Sequence, residues 1–472
     1  MSDQTQKSVT SPAIVTIVPR VAKGLPHQSD LDLLNLGLIA KAVCSGLYIS
    51  RRALDDILAQ SVRAELSDDR KVEIDLSIEN QVTALCDGLA RTAIYTGPQG
   101  AVILPIGSRD LYFKHRSPKV TNMIAPDLAD CPTRAFQEAA KAAFSRDPDT
   151  MTAAVAILHK GELVAENYDV GANPHMPLEA WSMGKSLAAL LLACAVSDGL
   201  ITLQDPLALK EWPNDDPRQT IRVEDALRMS SGLDFSASWA PDYETERHGY
   251  ADHGLIYSGA LDSRALVASR PLAHPPGTFG AYKNSDTLLL MAALEDRLRV
   301  VGLDPLTWPY ERLLAPLGVS SILLETDPYG HVLITGYVYG TARDWARLGQ
   351  IFIDKTLAGT LQIDWPTLQA CLQPSPAWTG QYWMADAPAE FTDSIYGGQL
   401  WLNRHAEPDR WPAPDDTAFF LGVGGQYTFM IPSLDLVVVR MGHIRGTIDT
   451  NAGRGHVPAL LKAACDAARS AA

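Results

Sequence analysis

Two early segments, LNLGLIAKAVCSGLYIS and RRALDDILAQSV, repeat apolar residues at helical spacing. After them, KVEIDLSIEN and RTAIYTGPQGAVIL read as strands, the latter turning at Gly97-Pro98-Gln99-Gly100. Residues 1–30 are polar and read as a flexible N-terminus. A stretch containing proline and charge, about 117–133, links this small α+β segment to a larger unit. That unit opens with a helix over 133–144. The strands MTAAVAILHK and ELVAENYDV follow, with Lys160-Gly161 at their turn. Next comes WSMGKSLAALLLACAVSDGL, a helix apolar all round, which predicts burial at the protein's centre. Gly199 fits just past its C-cap. Residues 203–340, rich in proline and glycine, read as mostly helix and loop. Strands return in SIYGGQLWLN, FFLGVGGQYTFMI and LDLVVVRMG, with Pro432-Ser433 in the last turn, and VPALLKAACDAARSA is a closing helix.

Strands at both ends of this unit, around a helical middle, predict one sheet built from the two ends with a helical lobe inserted. The expected class is α/β in the broad sense (α+β). The expected divisions are a flexible terminus at 1–30, an α+β extension at 31–132 and a main domain at 133–472. The lobe falls at about 203–340. A chain of 472 residues is longer than one core usually uses, in keeping with this division.

Composition narrows the function classes. Hydrophobic residues make up 46% and charged residues 20%, as in ordinary soluble proteins. A net charge of -15 and a pI near 5.2 argue against nucleic acid or an anionic membrane as partner, since both need clustered Lys and Arg. Cys44, Cys86, Cys131, Cys194, Cys371 and Cys465 form no C-x-x-C pair or zinc pattern, and read as mostly buried, reduced thiols. The first residues lack the pattern of a signal peptide. The apolar run at 33–49 is interrupted by Lys41 and reads as too short for a bilayer. A cytoplasmic location is the expectation. No metal or organic cofactor is implied.

Three features carry chemistry. Ser182-Met183-Gly184-Lys185 starts the apolar helix, and residues three apart share a helix face, so the Lys185 amine can reach the Ser182 hydroxyl. Serine needs a base to become a nucleophile, and burial lowers a lysine pKa far enough to supply one. This is the one S-x-x-K in the chain, on a helix with no polar face for a lysine. Alone, the motif is a weak signal and is better read as a capping serine with a surface lysine. Tyr282-Lys283-Asn284 is the one Y-x-N. A tyrosine beside a lysine can shuttle a proton, and an asparagine can orient it. Lys283 alternates away from the other two if the chain is extended there. Its loss should then cost little. Third, Phe420-Leu421-Gly422-Val423-Gly424-Gly425-Gln426 reads as an apolar strand entering a glycine-rich turn, where backbone N–H groups can approach an oxyanion.

The order S-x-x-K, then Y-x-N about a hundred residues on, then a glycine-rich strand near the C-terminus resembles the serine β-lactamase and penicillin-binding-protein superfamily. The surroundings DGLITLQDPL, TIRVEDALRMSSGLDF, RPLAHPPGTFGAYKNSD, GTARDWARLGQIF and DLVVVRMGH resemble its class C-related hydrolases, among them family VIII carboxylesterases and 6-aminohexanoate-dimer hydrolase. The resemblance covers about 135–472. It implies a β-lactamase-like antiparallel sheet flanked by helices. It implies that Ser182 is acylated, that Lys185 takes or holds its proton, and that Tyr282 protonates the leaving group and later activates water. It implies that Asn284 positions Lys185 or substrate. It implies an oxyanion hole of the Ser182 N–H and one third-motif N–H, Val423 first and Gly424 next. One departure stands out. Where relatives carry Lys-Thr-Gly, with a lysine that holds a substrate carboxylate, this chain has Phe420-Leu421-Gly422. A neutral ester or amide is therefore the expected small-molecule substrate. Lys283 or an arginine of the lobe could still supply the missing cation.

Other classes fit less well. Ala180 stands where G-x-S-x-G would need glycine, and no P-loop, H-E-x-x-H or dinucleotide motif occurs. A β-lactamase or D-amino-acid peptidase, and a catalytically silent binding protein on the same fold, remain as alternatives. Trp181, Trp239, His253, Tyr257 and Trp401 are candidate pocket walls, with core packing the competing role for each. His443 reads as structural. The oligomeric state stays open, with a homodimer as one option.

Overall fold

The early apolar pattern folds into helices α1 (Gln28–Tyr48) and α2 (Leu54–Gln60). The computed structural model describes residues 28–62, 70–119, 121–144, 150–235, 252–378, 395–403, 411–445 and 456–471. Strands β1 (Glu73–Asp75), β2 (Gln81–Cys86), β3 (Leu89–Tyr95) and β4 (Ala101–Ile103) form an antiparallel sheet in sequence order. Strand β2 is an addition to the sequence reading, although QVTALC alternates between half-buried and buried positions as a strand should. The turn at 97–100 forms as expected, with the Gly100 N–H on the Gly97 carbonyl at 3.0 Å. Leu31–Tyr48 is in fact long and apolar enough to cross a membrane, despite Lys41. Its apolar composition is accounted for by packing, because Leu36, Ile39 and Val43 are buried against Val82 and Ala84 of the sheet.

Helix α3 (Arg134–Lys141) leads into β5 (Thr152–His159) and β6 (Glu162–Tyr168). A two-residue strand, β7 (Leu178–Glu179), brings the chain to α4 (Met183–Ser197). Residues Met183 to Ala195 of α4 are all buried, in keeping with its apolarity. Gly199, at φ +71°, ends it in a Schellman motif: Gly199 N–H donates to Val196 O and Leu200 N–H to Ala195 O. The lobe contains helices α5 (Asp252–Ser258) and α6 (Asn284–Val300). It is not only helix and loop. Strands β8 (Leu323–Leu324) and β9 (Val338–Gly340) join β7 in a small sheet ordered β7-β9-β8. Their two or three residues are too short for a periodic signal.

At the C-terminal end, SIYGGQLWLN is not one strand. It forms β10 (Ile395–Tyr396) and β11 (Trp401–Leu402), with a turn closed by the Gly397 N–H on the Leu400 carbonyl at 2.8 Å. FFLGVGGQYTFMI is a hairpin of β12 (Ala418–Gly422) and β13 (Gln426–Ile431), and Gly424 and Gly425 take positive φ in its turn. Strand β14 (Leu436–Gly442) and helix α7 (His456–Ser470) complete the chain. The large sheet is antiparallel and ordered β10-β11-β12-β13-β14-β5-β6, so its two ends meet at β14 and β5, where Val438 faces Ile157. Side chains alternate between its faces. Val155 and Ile157 pack with Phe136 of α3 and Leu460 of α7; Ala154 and Ala156 pack on the side of α4. The sheet is thus covered by helices on both faces, with α4 in the larger core.

Candidate active site

Trp181 immediately precedes the buried helix with φ at +48°, a region bulky residues avoid. Such a residue costs about 1–3 kcal/mol and persists only where its surroundings impose it. Here the Ala180 N–H donates to the Val338 carbonyl at 2.8 Å, and the Trp181 ring meets Tyr257 edge-on at 5.4 Å. Ser182 follows as the N-cap, with no side-chain capping bond. Its hydroxyl is left for other partners.

Lys185 is 1% exposed. Its Nζ lies 3.0 Å from Ser182 Oγ and donates to the Thr335 carbonyl at 3.2 Å. Ser182 Oγ also donates to that carbonyl, at 3.3 Å, as does the Tyr257 hydroxyl, at 2.9 Å. Among the described residues no carboxylate pairs with Lys185, and burial holds its pKa well below the ordinary lysine value. The Lys185 amine stands 4.8 Å from the Tyr282 ring centroid. Burial pushes the Tyr282 phenol up, against a smaller opposing effect of its hydrogen bond with Ser182, so it is neutral at neutral pH. Ser182, Lys185 and Tyr282 therefore share one small volume.

The remaining predicted residues divide. Asn284 is buried at the first turn of α6 and hydrogen-bonds toward Tyr257, not Lys185. Tyr257 joins the group through Thr335. His253 lies on the same helix, α5, and burial lowers its pKa to about 4. Trp401 is 2% exposed and packs on the Tyr282 ring at 5.2 Å, so it backs the tyrosine rather than lining an opening. Trp239 lies outside the described residues.

The third motif reaches this group from the sheet. A Cβ at Gly422 would stand 2.2 Å from the Ala180 carbonyl oxygen, so only glycine lets the end of β12 meet the chain before Ser182. Val423 follows, 43% exposed. The turn is held from behind. Arg440, fully buried, donates from Nη1 to the Gly424 and Gly425 carbonyls at 2.8 Å each, and the Gln426 amide donates to the Gly442 carbonyl at 2.8 Å. The sequence reading missed Arg440 and the Thr335 carbonyl.

Lys283 has the extended backbone that its alternation required, with φ −154° and ψ 152°. It is nevertheless buried. Its Nζ donates to the Leu233 carbonyl at 2.9 Å and lies 3.6 Å from Asp286. It is therefore committed and does not replace the missing lysine.

A serine–lysine pair opening a central helix, under an antiparallel sheet covered on both faces, defines the β-lactamase-type serine hydrolase fold. Residues 138–461 match the family model Beta-lactamase, and the chain belongs to that family. No curated protein matches. Among solved structures, a family VIII carboxylesterase is similar at 15% identity and TM-score 0.55, over 72% of this chain and all of that one. A candidate 6-aminohexanoate-dimer hydrolase from Bacillus anthracis is similar at 16% identity and TM-score 0.54, over 75% and 90%. A penicillin-binding-protein homologue from Caulobacter crescentus is similar at 19% identity and TM-score 0.51, over 72% and 99%.

The burial of Lys283 adds a cost in stability that the expectation of little loss in turnover did not include. Lys283→Ala leaves Asp286 buried without its countercharge and should destabilise the fold by about 3–5 kcal/mol. Urea unfolding checks this, and the double variant Lys283→Ala/Asp286→Asn should recover part of the loss.

Proposed function

We propose that the protein hydrolyses a carboxylic ester or amide through an acyl-enzyme on Ser182. The observation that carries this reading is the buried Lys185 amine 3.0 Å from Ser182 Oγ. A neutral amine there accepts the serine proton as Oγ attacks the substrate carbonyl carbon, while its own N–H stays on the Thr335 carbonyl. The tetrahedral oxyanion forms beside the Ser182 N–H and the Val423–Gly424 turn. Tyr282, neutral through burial, gives its proton to the departing alcohol or amine and regains one from the water that attacks the acyl-enzyme; as the acyl–Oγ bond then breaks, Lys185 returns its proton to Ser182. Asn284 supports Tyr257 in this scheme. Trp181 and Tyr257 border the serine, and the substrate is a small neutral molecule.

The test of the nucleophile is intact-mass spectrometry after a fluorophosphonate probe. The wild-type chain should gain one adduct, and Ser182→Ala should gain none while unfolding at an unchanged temperature. Full labelling of the alanine variant, or no labelling of the wild type, sinks the proposal; the second outcome favours a silent binding protein. Tyr282→Phe should lose at least about a hundredfold in turnover.

The pH dependence follows from Lys185. Its folded pKa is depressed, so the neutral base persists down to that value and is lost as pH falls through it. The accompanying loss of stability accrues above it, as pH falls from the ordinary lysine value of 10.5 toward the depressed folded value, and is complete below that value, where the buried amine is charged. Tyr257 and Tyr282, which face it, are both pushed up by burial and stay neutral across this window. The activity profile should rise through the depressed Lys185 value and level off well below 10.5, the ordinary lysine value. A rise centred near 10.5 removes Lys185 as the base.

Substrate charge separates the esterase and β-lactamase readings. Phe420 and Leu421 occupy the Lys-Thr-Gly position and are buried, and Lys283 is engaged elsewhere. A substrate carboxylate there loses water without gaining a cation. The ratio of kcat/KM values should favour p-nitrophenyl butyrate over nitrocefin, and a preference for nitrocefin overturns this argument.

A further inference from the structure

Lys41 of α1 is 2% exposed, and its ammonium pairs with Glu325, which is fully buried. The N-terminal unit meets this one carboxylate three times. Besides Lys41, the Ser45 hydroxyl donates to Glu325 at 2.9 Å and the Ala101 N–H at 2.7 Å. Gly100 in the β3–β4 turn permits the approach, since a Cβ there would stand 2.6 Å from the Glu325 side chain. The backbone of Glu325 brackets a loop. The Glu325 N–H donates to the Tyr337 carbonyl at 3.0 Å, and the Leu333 N–H donates to the Glu325 carbonyl at 2.9 Å. Between those two contacts lies Thr335, whose carbonyl receives Lys185, Ser182 and Tyr257. Lys41 also stands 3.9 Å over the Tyr337 ring, and the Tyr337 hydroxyl donates to the Tyr257 carbonyl at 2.8 Å.

We propose that Lys41 is a positioning residue for Lys185: through Glu325 and Tyr337, the N-terminal unit fixes the 333–337 loop that presents the Thr335 carbonyl to the serine–lysine pair. This rests on the serine hydrolase reading above. The extension is then part of the catalytic apparatus, although none of its residues described in these contacts touches Ser182. A loosened loop shifts the Lys185 amine, and small misplacements of a base are expensive in rate.

The experiment measures fluorophosphonate labelling of the full chain, separating probe affinity from the maximal rate. Lys41→Met should lower the maximal rate about tenfold to a hundredfold with affinity unchanged. Lys41→Arg should recover most of it, because a cation remains for Glu325. The control is Arg70→Gln, which breaks the Arg70–Asp32 pair of the same unit away from Glu325. It should label at the wild-type rate despite any fall in melting temperature. A wild-type rate in Lys41→Met, or an equal loss in Arg70→Gln, overturns the proposal. Should Lys41→Met fail to fold, Lys41→Met/Glu325→Gln removes both charges. It should show a several-fold loss, and a wild-type rate in it overturns the proposal equally. If the wild type does not label, the hydrolase reading has failed, and this one with it.

Discussion

The site depends on an amine buried with no carboxylate partner among the described residues. An ammonium in that position would lose its hydration and regain little, so the fold favours the neutral form. A neutral amine still has N–H groups that need acceptors. Among the described residues, Ser182 Oγ and the Thr335 carbonyl are those Lys185 has. An ion pair at this point would restore the lysine pKa and remove its use as a base. A carbonyl dipole orients the nitrogen with far less effect on its charge state. The choice of a backbone group over an acidic side chain is thus the electrostatic condition for the proposed chemistry.

A carbonyl can do this only if the chain bearing it is held closely. Three glycines show how closely the segments approach. A Cβ at Gly184 would lie 2.0 Å from the Ile334 carbonyl oxygen, and one at Gly336 would lie 2.5 Å from the Tyr257 ring. Gly422 makes the equivalent approach to Ala180. The start of α4, the 333–337 loop and the end of β12 are therefore packed backbone to backbone around Ser182. Trp181, forced to positive φ between them, is the local cost of that convergence.

The fold class was legible because its signals are long. Helix α4 is apolar all round, and strands occur at both ends of the unit, as an antiparallel sheet closed by β14 and β5 requires. The grouping of Ser182, Lys185 and Tyr282 was legible because two spaced motifs name them. Short-range periodicity failed where elements are short: SIYGGQLWLN broke at Gly397, and β7, β8 and β9 have two or three residues each. The Thr335 carbonyl had no signal at all, since a backbone acceptor leaves no mark on residue type. Lys41 was visible as an oddity in an apolar helix, but its partner Glu325 is 284 residues away. Only the assembled structure explains why that helix carries a charge.

Arg440 bears on the missing lysine of the third motif. A lysine in front of the turn would meet both the oxyanion and a substrate carboxylate. Arg440 lies behind the turn, bound to the Gly424 and Gly425 carbonyls, with further donors to the Thr150 carbonyl and Thr152 hydroxyl. Burial lowers its pKa only to about 10, so it remains a cation at neutral pH. Bonded to two carbonyls, it fixes the peptide units that carry the Gly425 and Gln426 N–H groups and so holds the shape of the turn from behind. Its charge is committed to the Gly424–Gly425 turn, and the side chain itself stays buried. Under the proposed reaction Arg440 supports the turn and does not take the place of the missing lysine. At the Phe420-Leu421 position two buried apolar side chains stand where a lysine would meet an anionic substrate group. On the proposed reading, a neutral ester or amide is the substrate class that loses nothing by the lack of that lysine.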